Sequence, residues 1–321
     1  MRRSALALKA LWQMRVRGRP FVLSHGITSR CNLSCSFCEH WRAPGKEMGT
    51  QEIKQMLTEA RAFGIRVYNA WTAEPLLRSD LPEILSHAKG LGLITSIITN
   101  GHLLKERIQE LEDLDLLSVS VDGVESYREI RGRDLEGVLE GVRAAREAGH
   151  DVLMNCVING RNLDELDGLV DLAASLGASI SFEPIHESPR IDREVWDALG
   201  ISDMAAYRRA LDRLIARKRK GDPIINSLTY LGMVRSKRPG FRCHVGDMIM
   251  HVSSDGTVQA CRVHSEPLFN ASDGLDSGWR ASREMRKRIT QECQGCLFFG
   301  YAENSMLYDL VPEVMLHYRW M

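Results

Sequence analysis

The sequence predicts an α/β fold, a partial (β/α)6 barrel followed by a small α+β domain that contains a β-hairpin. Short apolar runs with β-branched residues alternate with helical patterns, as expected of parallel strands joined by right-handed crossovers. Six runs fit this pattern: residues 22–27, 65–70, 93–99, 117–121, 152–158 and 180–182. Six strands are too few for the usual closed eight-stranded barrel, so the sheet should stay open on one side.

Composition agrees with a globular protein of one large or two smaller domains. The 321 residues are 44% hydrophobic, and 42 basic residues balance 42 acidic ones, so no nucleic-acid partner is expected. Eight cysteines without a secretory signal indicate metal ligation, and no apolar run is long enough to cross a bilayer, so we expect a cytoplasmic protein. Five segments are predicted: an N-terminal helix (1–20), the barrel core (21–185), a helical connector (186–238), the small domain (239–300) and a helical tail (301–321).

The N-terminal segment carries basic side chains and no acidic one. Leu8, Leu11 and Trp12 recur at helical spacing, which predicts a basic amphipathic helix that ends at Gly18 and Pro20. The segment lacks the cleavage site of a signal peptide. Such a helix could lie on an anionic membrane surface, but we favour closure of the open end of the barrel.

Three cysteines follow the first predicted strand: Cys31, Cys35 and Cys38, with gaps of three and two residues. One loop can turn three thiolates toward a single point, which suits a cubane iron–sulfur cluster with one iron left open. A structural zinc site usually has four ligands in two close pairs, and a redox dithiol needs only one Cys-x-x-Cys. With Phe37 before the last cysteine, the motif resembles the Cys-x-x-x-Cys-x-aromatic-Cys of the radical S-adenosylmethionine (SAM) superfamily.

This resemblance implies a TIM-like partial barrel whose three cysteines hold a SAM-binding [4Fe–4S] cluster. In that family an electron from the cluster cleaves SAM to methionine and a 5′-deoxyadenosyl radical, which takes a hydrogen atom from an unactivated C–H bond of the substrate. A flavodoxin or ferredoxin is the implied electron donor.

Polar residues stand at the carboxyl ends of the predicted strands, where ligands gather in α/β sheets. The second run continues into Trp71-Thr72-Ala73-Glu74-Pro75, which resembles the Gly-Gly-Glu-Pro motif of the family with both glycines replaced. The resemblance implies that Glu74 holds the amino group of SAM. It also implies SAM-facing positions at Phe37, Thr99, Asn100, Ser120, Arg131 and Asn155.

At two of these positions a purely structural role competes with SAM binding. Thr99-Asn100-Gly101 also fits a simple turn, and Arg131 could form a surface salt bridge instead of binding the carboxylate of SAM. Strand alternation supports the site, because it places Ser118, Ser120 and Asp122 on one face. A polar face in a parallel sheet is unusual unless it lines a cavity.

The same alternation separates the next two strands into a site face and a core face. If Asn155 faces the cofactor, Cys156 faces the helices, and we predict that Cys156 is a small core residue. On the sixth strand, Glu183 would reach the substrate cavity.

A second cysteine set comprises Cys243, Cys261, Cys293 and Cys296. Asp255-Gly256 between two β-prone segments predicts a hairpin that can bring the first two together. The set resembles the twitch domain, the shorter form of the SPASM extension, which implies one auxiliary [4Fe–4S] cluster. Tetrahedral zinc on the same thiolates is the alternative, and His244 or His264 could substitute as ligands.

The resemblance leaves the substrate open. With seven cysteines assigned to clusters and Cys156 predicted to be buried, none remains to donate a hydrogen atom to a substrate radical. We therefore expect oxidation or bond formation on a natural-product, sugar or peptide substrate. The alternatives are modification of an isoprenoid membrane lipid and a non-catalytic iron–sulfur or zinc scaffold.

Overall fold

One nine-stranded sheet organises the molecule, and the computed structural model describes residues 10–42, 45–186 and 192–317. The strands are β1 (Val22–Gly26), β2 (Val67–Trp71), β3 (Ile94–Thr99), β4 (Leu116–Ser120), β5 (Val152–Ile158), β6 (Ser179–Pro184), β7 (Ile249–Val252), β8 (Thr257–Gln259) and β9 (Pro267–Asn270). Their order across the sheet is β6-β5-β4-β3-β2-β1-β7-β8-β9.

Helices connect and cover these strands. The described part of α1 comprises residues 10–15. The others are α2 (Thr50–Phe63), α3 (Leu81–Gly90), α4 (Leu104–Arg107), α5 (Tyr127–Arg131), α6 (Glu136–Glu147), α7 (Leu166–Ser175), α8 (Arg193–Leu199), α9 (Met204–Lys220), α10 (Leu228–Ser236), α11 (Val245–Met248), α12 (Leu275–Ala281), α13 (Arg283–Glu292), α14 (Phe299–Tyr308) and α15 (Pro312–His317). None of these described helices is long and apolar enough to cross a membrane.

The first six strands form the predicted open, partial barrel. β1 to β6 pair in parallel with their neighbours in sequence, and each connection contains a helix. Buried strand residues such as Leu23, Ile97 and Leu117 share one core with the helix residues Leu57 and Leu85. The parallel sheet is covered because its apolar runs cannot remain exposed.

The predicted hairpin is present and extends the barrel sheet. β7 and β8 are antiparallel, and their turn holds Gly256 at φ 87°, a conformation that favours glycine. Asp255 Oδ1 accepts a hydrogen bond from the Thr257 N–H at 3.0 Å, which stabilises this turn. β7 also pairs in parallel with β1, so the sheet continues across the predicted domain boundary.

The described part of α1 packs beneath the amino ends of the first strands. Ala10 is buried against Phe21 and Val67, and Gln13 Nε2 donates a hydrogen bond to the Pro20 carbonyl at 2.9 Å. This end lies opposite the carboxyl ends of the strands. Residues 1–9, the start of the predicted helix, lie outside the described residues.

The predicted tail forms two helices, with Pro312 as the first residue of the second. They dock on the start of α10, where Glu303 Oε1 accepts a hydrogen bond from the Ser227 N–H at 2.7 Å. Glu313 accepts bonds from the next two N–H groups at 3.0 and 3.1 Å. These carboxyl oxygens accept hydrogen bonds from N–H groups at the start of α10 that have no partner within the helix, which explains this docking. Residues 318–321 lie outside the described residues.

Candidate functional site

The first cysteine loop joins β1 to α2 and is fixed by backbone contacts. Cys35 is buried, and its carbonyl accepts hydrogen bonds from the Cys38 N–H (3.1 Å) and Trp41 Nε1 (3.0 Å). The Leu33 N–H donates to Cys31 Sγ at 3.4 Å. Hydrogen bonds from N–H groups stabilise a thiolate, the form that ligates iron.

The three thiols of this loop also influence one another. The pKa of Cys35 is raised to about 11, mainly by burial and also by the nearby Cys38 and Cys31, whereas Arg131 opposes the shift. Burial likewise raises the pKa of Cys31 and of Cys38. Three close, part-buried thiols need a strongly cationic partner to be thiolates together. The residues therefore fit the predicted iron–sulfur ligand set.

Glu74 ties the carboxyl ends of β2 and β3 together. It is fully buried; Oε1 accepts hydrogen bonds from Thr99 Oγ1 (2.7 Å) and the Leu76 N–H (3.0 Å), and Oε2 accepts one from the Asn100 N–H (2.7 Å). Burial raises the pKa of this carboxyl, and the three hydrogen bonds oppose the shift. The sequence did not indicate this tie, and the contact of Glu74 with the SAM amino group stays a prediction.

Asn100 connects these strand ends to the cysteine loop. Its Nδ2 donates to Asn32 Oδ1 at 2.7 Å and lies 3.8 Å from Cys31 Sγ. Its Oδ1 accepts a hydrogen bond from the His102 N–H at 3.1 Å, so the simple turn is present as well. Asn100 therefore serves both the turn and the cysteine loop.

The departure from Gly-Gly-Glu-Pro is accommodated by a glycine elsewhere. Thr72 has φ 43°, in the left-handed region that favours glycine. Its methyl group packs over Gly26 at the end of β1, where an added Cβ would lie only 2.7 Å from Thr72 Cγ2. Gly26 thus provides the space that the side chain of Thr72 takes up.

Arg131 forms a buried ion pair and not a surface one. Its Nε donates to Asp122 Oδ2 at 2.6 Å, and the ion pair is buried, so the surface salt bridge is wrong. The guanidinium also lies 5.5 Å from the centre of the Phe37 ring and 4.0 Å from Cys35 Sγ. Arg131 therefore supplies positive charge beside the thiols, and its contact with the SAM carboxylate stays a prediction.

The remaining predicted positions form a polar row across the sheet. Ser120 is paired in register with Asn155, which is paired with Ser181, and Ser181 Oγ donates to Asn155 Oδ1 at 2.5 Å. Cys156 is buried in the core, as predicted. Glu183 Oε2 accepts a hydrogen bond from the Phe299 N–H at 2.9 Å and so ties β6 to α14, and its reach to the substrate cavity stays a prediction.

Open space lies directly above the cysteine loop. A cavity of about 360 Å³ is lined by Cys31, Asn32, Leu33, Ser34, Trp41, Arg131, Gly132 and Arg133. Of the three cysteines of the loop, Cys31 lines this cavity, together with Arg131.

The second cysteine set also comes together. The Gly295 N–H donates to Cys293 Sγ and the His264 N–H to Cys261 Sγ, both at 3.3 Å. Burial raises the pKa of Cys296 to about 12, and the three other cysteines add to the shift. Burial is also the main reason that the pKa of Cys243 rises to about 11. Part-buried thiols with N–H···S bonds fit a shared metal group.

The two histidines near this set make other contacts, and their role as substitute ligands stays a prediction. His244 Nε2 bonds to Asp309 Oδ1 at 2.9 Å, and its ring stacks on Tyr308 at 4.2 Å between centres. His264 contributes its backbone N–H to Cys261. Within the three described ranges, no group of three or more His, Cys, Asp or Glu side chains is arranged to hold a single metal ion.

Comparison with known proteins decides the family. The Radical SAM superfamily profile matches residues 26–173. A probable GTP 3′,8-cyclase of Methanococcus maripaludis is 30% identical over 283 residues, which cover 81% of this chain and 90% of the relative. The chain belongs to the radical SAM superfamily. Enzymes of this family use a [4Fe–4S] cluster and SAM, so the cofactor prediction for the barrel is confirmed.

Other similar proteins agree with a radical SAM fold. The PqqA peptide cyclase of Bradyrhizobium diazoefficiens is 31% identical over 175 residues, 50% of this chain and 45% of the relative. The crystal structure of Streptococcus suis SuiB bound to its precursor peptide SuiA superposes with a TM-score of 0.67 at 17% identity, over 85% of this chain and 67% of SuiB. The anSMEcpe enzyme with bound AdoMet and a peptide gives 0.65 at 14% identity, over 86% of each chain.

Two residues of this radical SAM protein make contacts at the site that were not predicted from the sequence. Asn32 and Arg262 each follow a predicted cysteine ligand directly, and both reach across to another strand end. Their position beside a ligand was the available signal. That position does not identify the residues that Asn32 and Arg262 contact, because Asn100 and Trp71 are distant in sequence.

Proposed function

We propose that this chain is a radical SAM enzyme that binds SAM above Cys31, Cys35 and Cys38 and modifies an unactivated C–H bond of an organic substrate. The observation that carries the proposal is the contact chain from Glu74 through Asn100 to Asn32. These hydrogen bonds hold the Glu-Pro motif, the turn after β3 and the cysteine loop together at one edge of the sheet. When bound, the cluster and SAM supply a 5′-deoxyadenosyl radical.

The chain's own residues would position SAM. Three of the four carboxylate lone-pair positions of Glu74 are taken by hydrogen bonds, which leaves one acceptor position for the ammonium group of SAM. Ser120 and Asn155 offer polar groups to the ribose on the same edge. Arg131, which is paired with Asp122, would place its guanidinium beside the carboxylate of SAM.

The second cysteine set would hold an auxiliary [4Fe–4S] cluster. Its four thiols fill every corner of a cubane, so no iron would remain open for substrate. We favour iron–sulfur over zinc because the set follows the pattern of the twitch domain. A fully ligated cluster remains able to accept an electron that the substrate gives up.

The proposed reaction forms a bond or oxidises the substrate. The named relatives include a probable GTP 3′,8-cyclase and a PqqA peptide cyclase, both ring-forming enzymes by name. Cys156 is buried in the core, so it is not placed to return a hydrogen atom to the substrate. These observations favour a new bond or an oxidised product over simple epimerisation, on a small-molecule or peptide substrate.

Anaerobic turnover tests the proposal. Reconstituted protein is incubated with SAM and a strong reductant, and 5′-deoxyadenosine and methionine are quantified by mass spectrometry. We expect both products in equal amounts. A protein that binds iron but releases no 5′-deoxyadenosine would be the non-catalytic scaffold instead.

A further inference from the structure

Arg262 reaches from the second cysteine set to the barrel. Its guanidinium carbon lies 3.7 Å from the centre of the Trp71 ring and 5.8 Å from that of Phe298. Trp71 is the last residue of β2, shortly before Glu74, and its ring also meets that of His40 edge-on at 5.8 Å. The guanidinium therefore lies between the auxiliary cysteines and the proposed SAM site.

Unsatisfied polar atoms cluster around this contact. Seven buried side-chain nitrogen or oxygen atoms of the described residues have no hydrogen-bond partner. Four of them lie on neighbouring side chains here: Trp71 Nε1, Thr72 Oγ1, His186 Nε2 and Arg262 Nε. His186 joins the group because its ring stacks on Phe298 at 3.9 Å between centres. Buried polar atoms normally have a partner, so such a concentration indicates a polar ligand or ordered water.

Arg262 supplies the positive charge of this cluster. Arg262 takes part in none of the ion pairs formed within the described part of the chain. Glu183 is close enough for the positive charge of Arg262 to oppose the burial-driven rise in the pKa of Glu183, and its Oε2 accepts the Phe299 N–H at 2.9 Å. Arg262 is part-buried, and its Nε has no hydrogen-bond partner among the described residues.

The geometry suits an oxyanion. Stacking on Trp71 holds the guanidinium flat, so its N–H groups are already oriented for a planar or tetrahedral anion. The indole N–H of Trp71 adds a second, uncharged donor. Arginine recognises carboxylate and phosphate through two parallel hydrogen bonds, which a lysine cannot reproduce.

We propose that Arg262 and Trp71 bind a carboxylate or phosphate group of the substrate, in a subsite between the proposed SAM site and the auxiliary cysteines. The substrate is accordingly a small molecule or peptide that carries at least one such group. This inference rests on the proposed function, which requires the substrate to lie beside SAM.

Anion titrations test the subsite without knowledge of the substrate. Anaerobically reconstituted full-length protein is titrated by calorimetry with inorganic phosphate, with propionate and, separately, with SAM. A single anionic group should bind with a Kd on the order of millimolar. R262Q should weaken this binding about tenfold or more, and W71F, which keeps a stacking ring without the N–H, about threefold. SAM affinity should be unchanged in both.

The matched control is R242Q. Arg242 precedes Cys243 as Arg262 follows Cys261, but Arg242 is exposed. Its replacement removes the same charge beside an auxiliary cysteine and should leave anion binding unchanged.

Several results would overturn the proposal. These are wild-type protein that binds neither anion, R262Q that binds them as well as wild type, and equal losses in R262Q and R242Q. Loss of SAM affinity in R262Q would assign Arg262 to the SAM carboxylate instead. If R262Q fails to retain iron, the W71F variant tests the proposal instead. Unchanged anion affinity in W71F would refute the anion subsite. Protein that cleaves no SAM but binds anions through Arg262 would refute the proposed function and leave the anion subsite standing.

Discussion

Replacing Glu74 by glutamine should weaken both the fold and SAM binding. The carboxylate accepts three hydrogen bonds in a fully buried position, and an amide NH₂ in place of Oε2 would face the Asn100 N–H. One charge-assisted hydrogen bond is lost, worth about 1.5–3 kcal/mol, and a buried N–H is left without an acceptor, at about 1–3 kcal/mol. Because partial relaxation lowers the sum, we expect a loss of about 2–4 kcal/mol in the free energy of unfolding.

SAM affinity should fall at the same time. A displaced Asn100 no longer holds Asn32 at 2.7 Å, so the disturbance reaches the loop of Cys31. With the loss of the carboxylate charge itself, we expect a decrease of about tenfold or more in affinity. The assays are urea unfolding and SAM titration by calorimetry, both on anaerobically reconstituted protein.

Asp115→Asn is the matched control: Asp115 binds the start of β3, whereas Glu74 binds its end. Asp115 Oδ2 accepts hydrogen bonds from the Thr95 N–H (3.0 Å) and Thr95 Oγ1 (3.2 Å), so it secures the start of β3 as Glu74 secures its end. The control should lose stability, about 1–2 kcal/mol, without losing SAM affinity. If Glu74→Gln keeps wild-type stability and SAM affinity, the tie and its role in the site are both refuted.

Three further predictions concern the tail, the auxiliary site and the N-terminal helix. Burial raises the pKa of Glu303 to about 7, whereas the pKa of a glutamate in the unfolded chain is about 4. The stability that Glu303 contributes is therefore complete below about pH 4 and is lost as the pH rises through 7. Glu303→Gln, which keeps an acceptor for the Ser227 N–H, should therefore raise Tm at pH 8 relative to wild type and lose that advantage at pH 5; an equal effect at both pH values would contradict this. Cys261→Ala and Cys296→Ala should still cleave SAM but yield little or no oxidised or coupled product, as the ratio of product to 5′-deoxyadenosine would show; normal product would make the site a structural clasp. Deletion of residues 1–18 should give insoluble or iron-poor protein, whereas a soluble, iron-loaded protein that merely stops sedimenting with anionic vesicles would indicate a membrane anchor.

Sequence periodicity sufficed for the barrel because its signals are local. Each parallel strand is a short apolar run, such as residues 152–158, and each crossover has helical spacing, so both can be recognised within a few residues. The hairpin was equally local, since Asp255-Gly256 specifies its turn. The pairing of β7 with β1 was not predictable, because it joins residues far apart in sequence through a parallel ladder that no turn specifies.

The cysteine ligands and the strand-end motif could be proposed from spacing and resemblance, but side-chain partners could not. Arg131 was expected at SAM or on the surface, and it lies in a buried pair with Asp122 because a guanidinium at that depth needs a counter-charge. Strand alternation could not show that Glu183 Oε2 accepts a hydrogen bond from the Phe299 N–H at the start of α14. Such contacts depend on the packing of distant elements, which strand alternation does not determine.

The first cysteine set provides the most direct test of the central claim. Wild-type protein, the triple variant Cys31→Ala/Cys35→Ala/Cys38→Ala and the control Cys156→Ala are reconstituted anaerobically, and iron and 5′-deoxyadenosine are measured per chain. Two four-iron clusters predict about eight irons in wild type and in Cys156→Ala, with SAM cleavage in both, and about four irons with no cleavage in the triple variant. A triple variant that still releases 5′-deoxyadenosine would contradict the account.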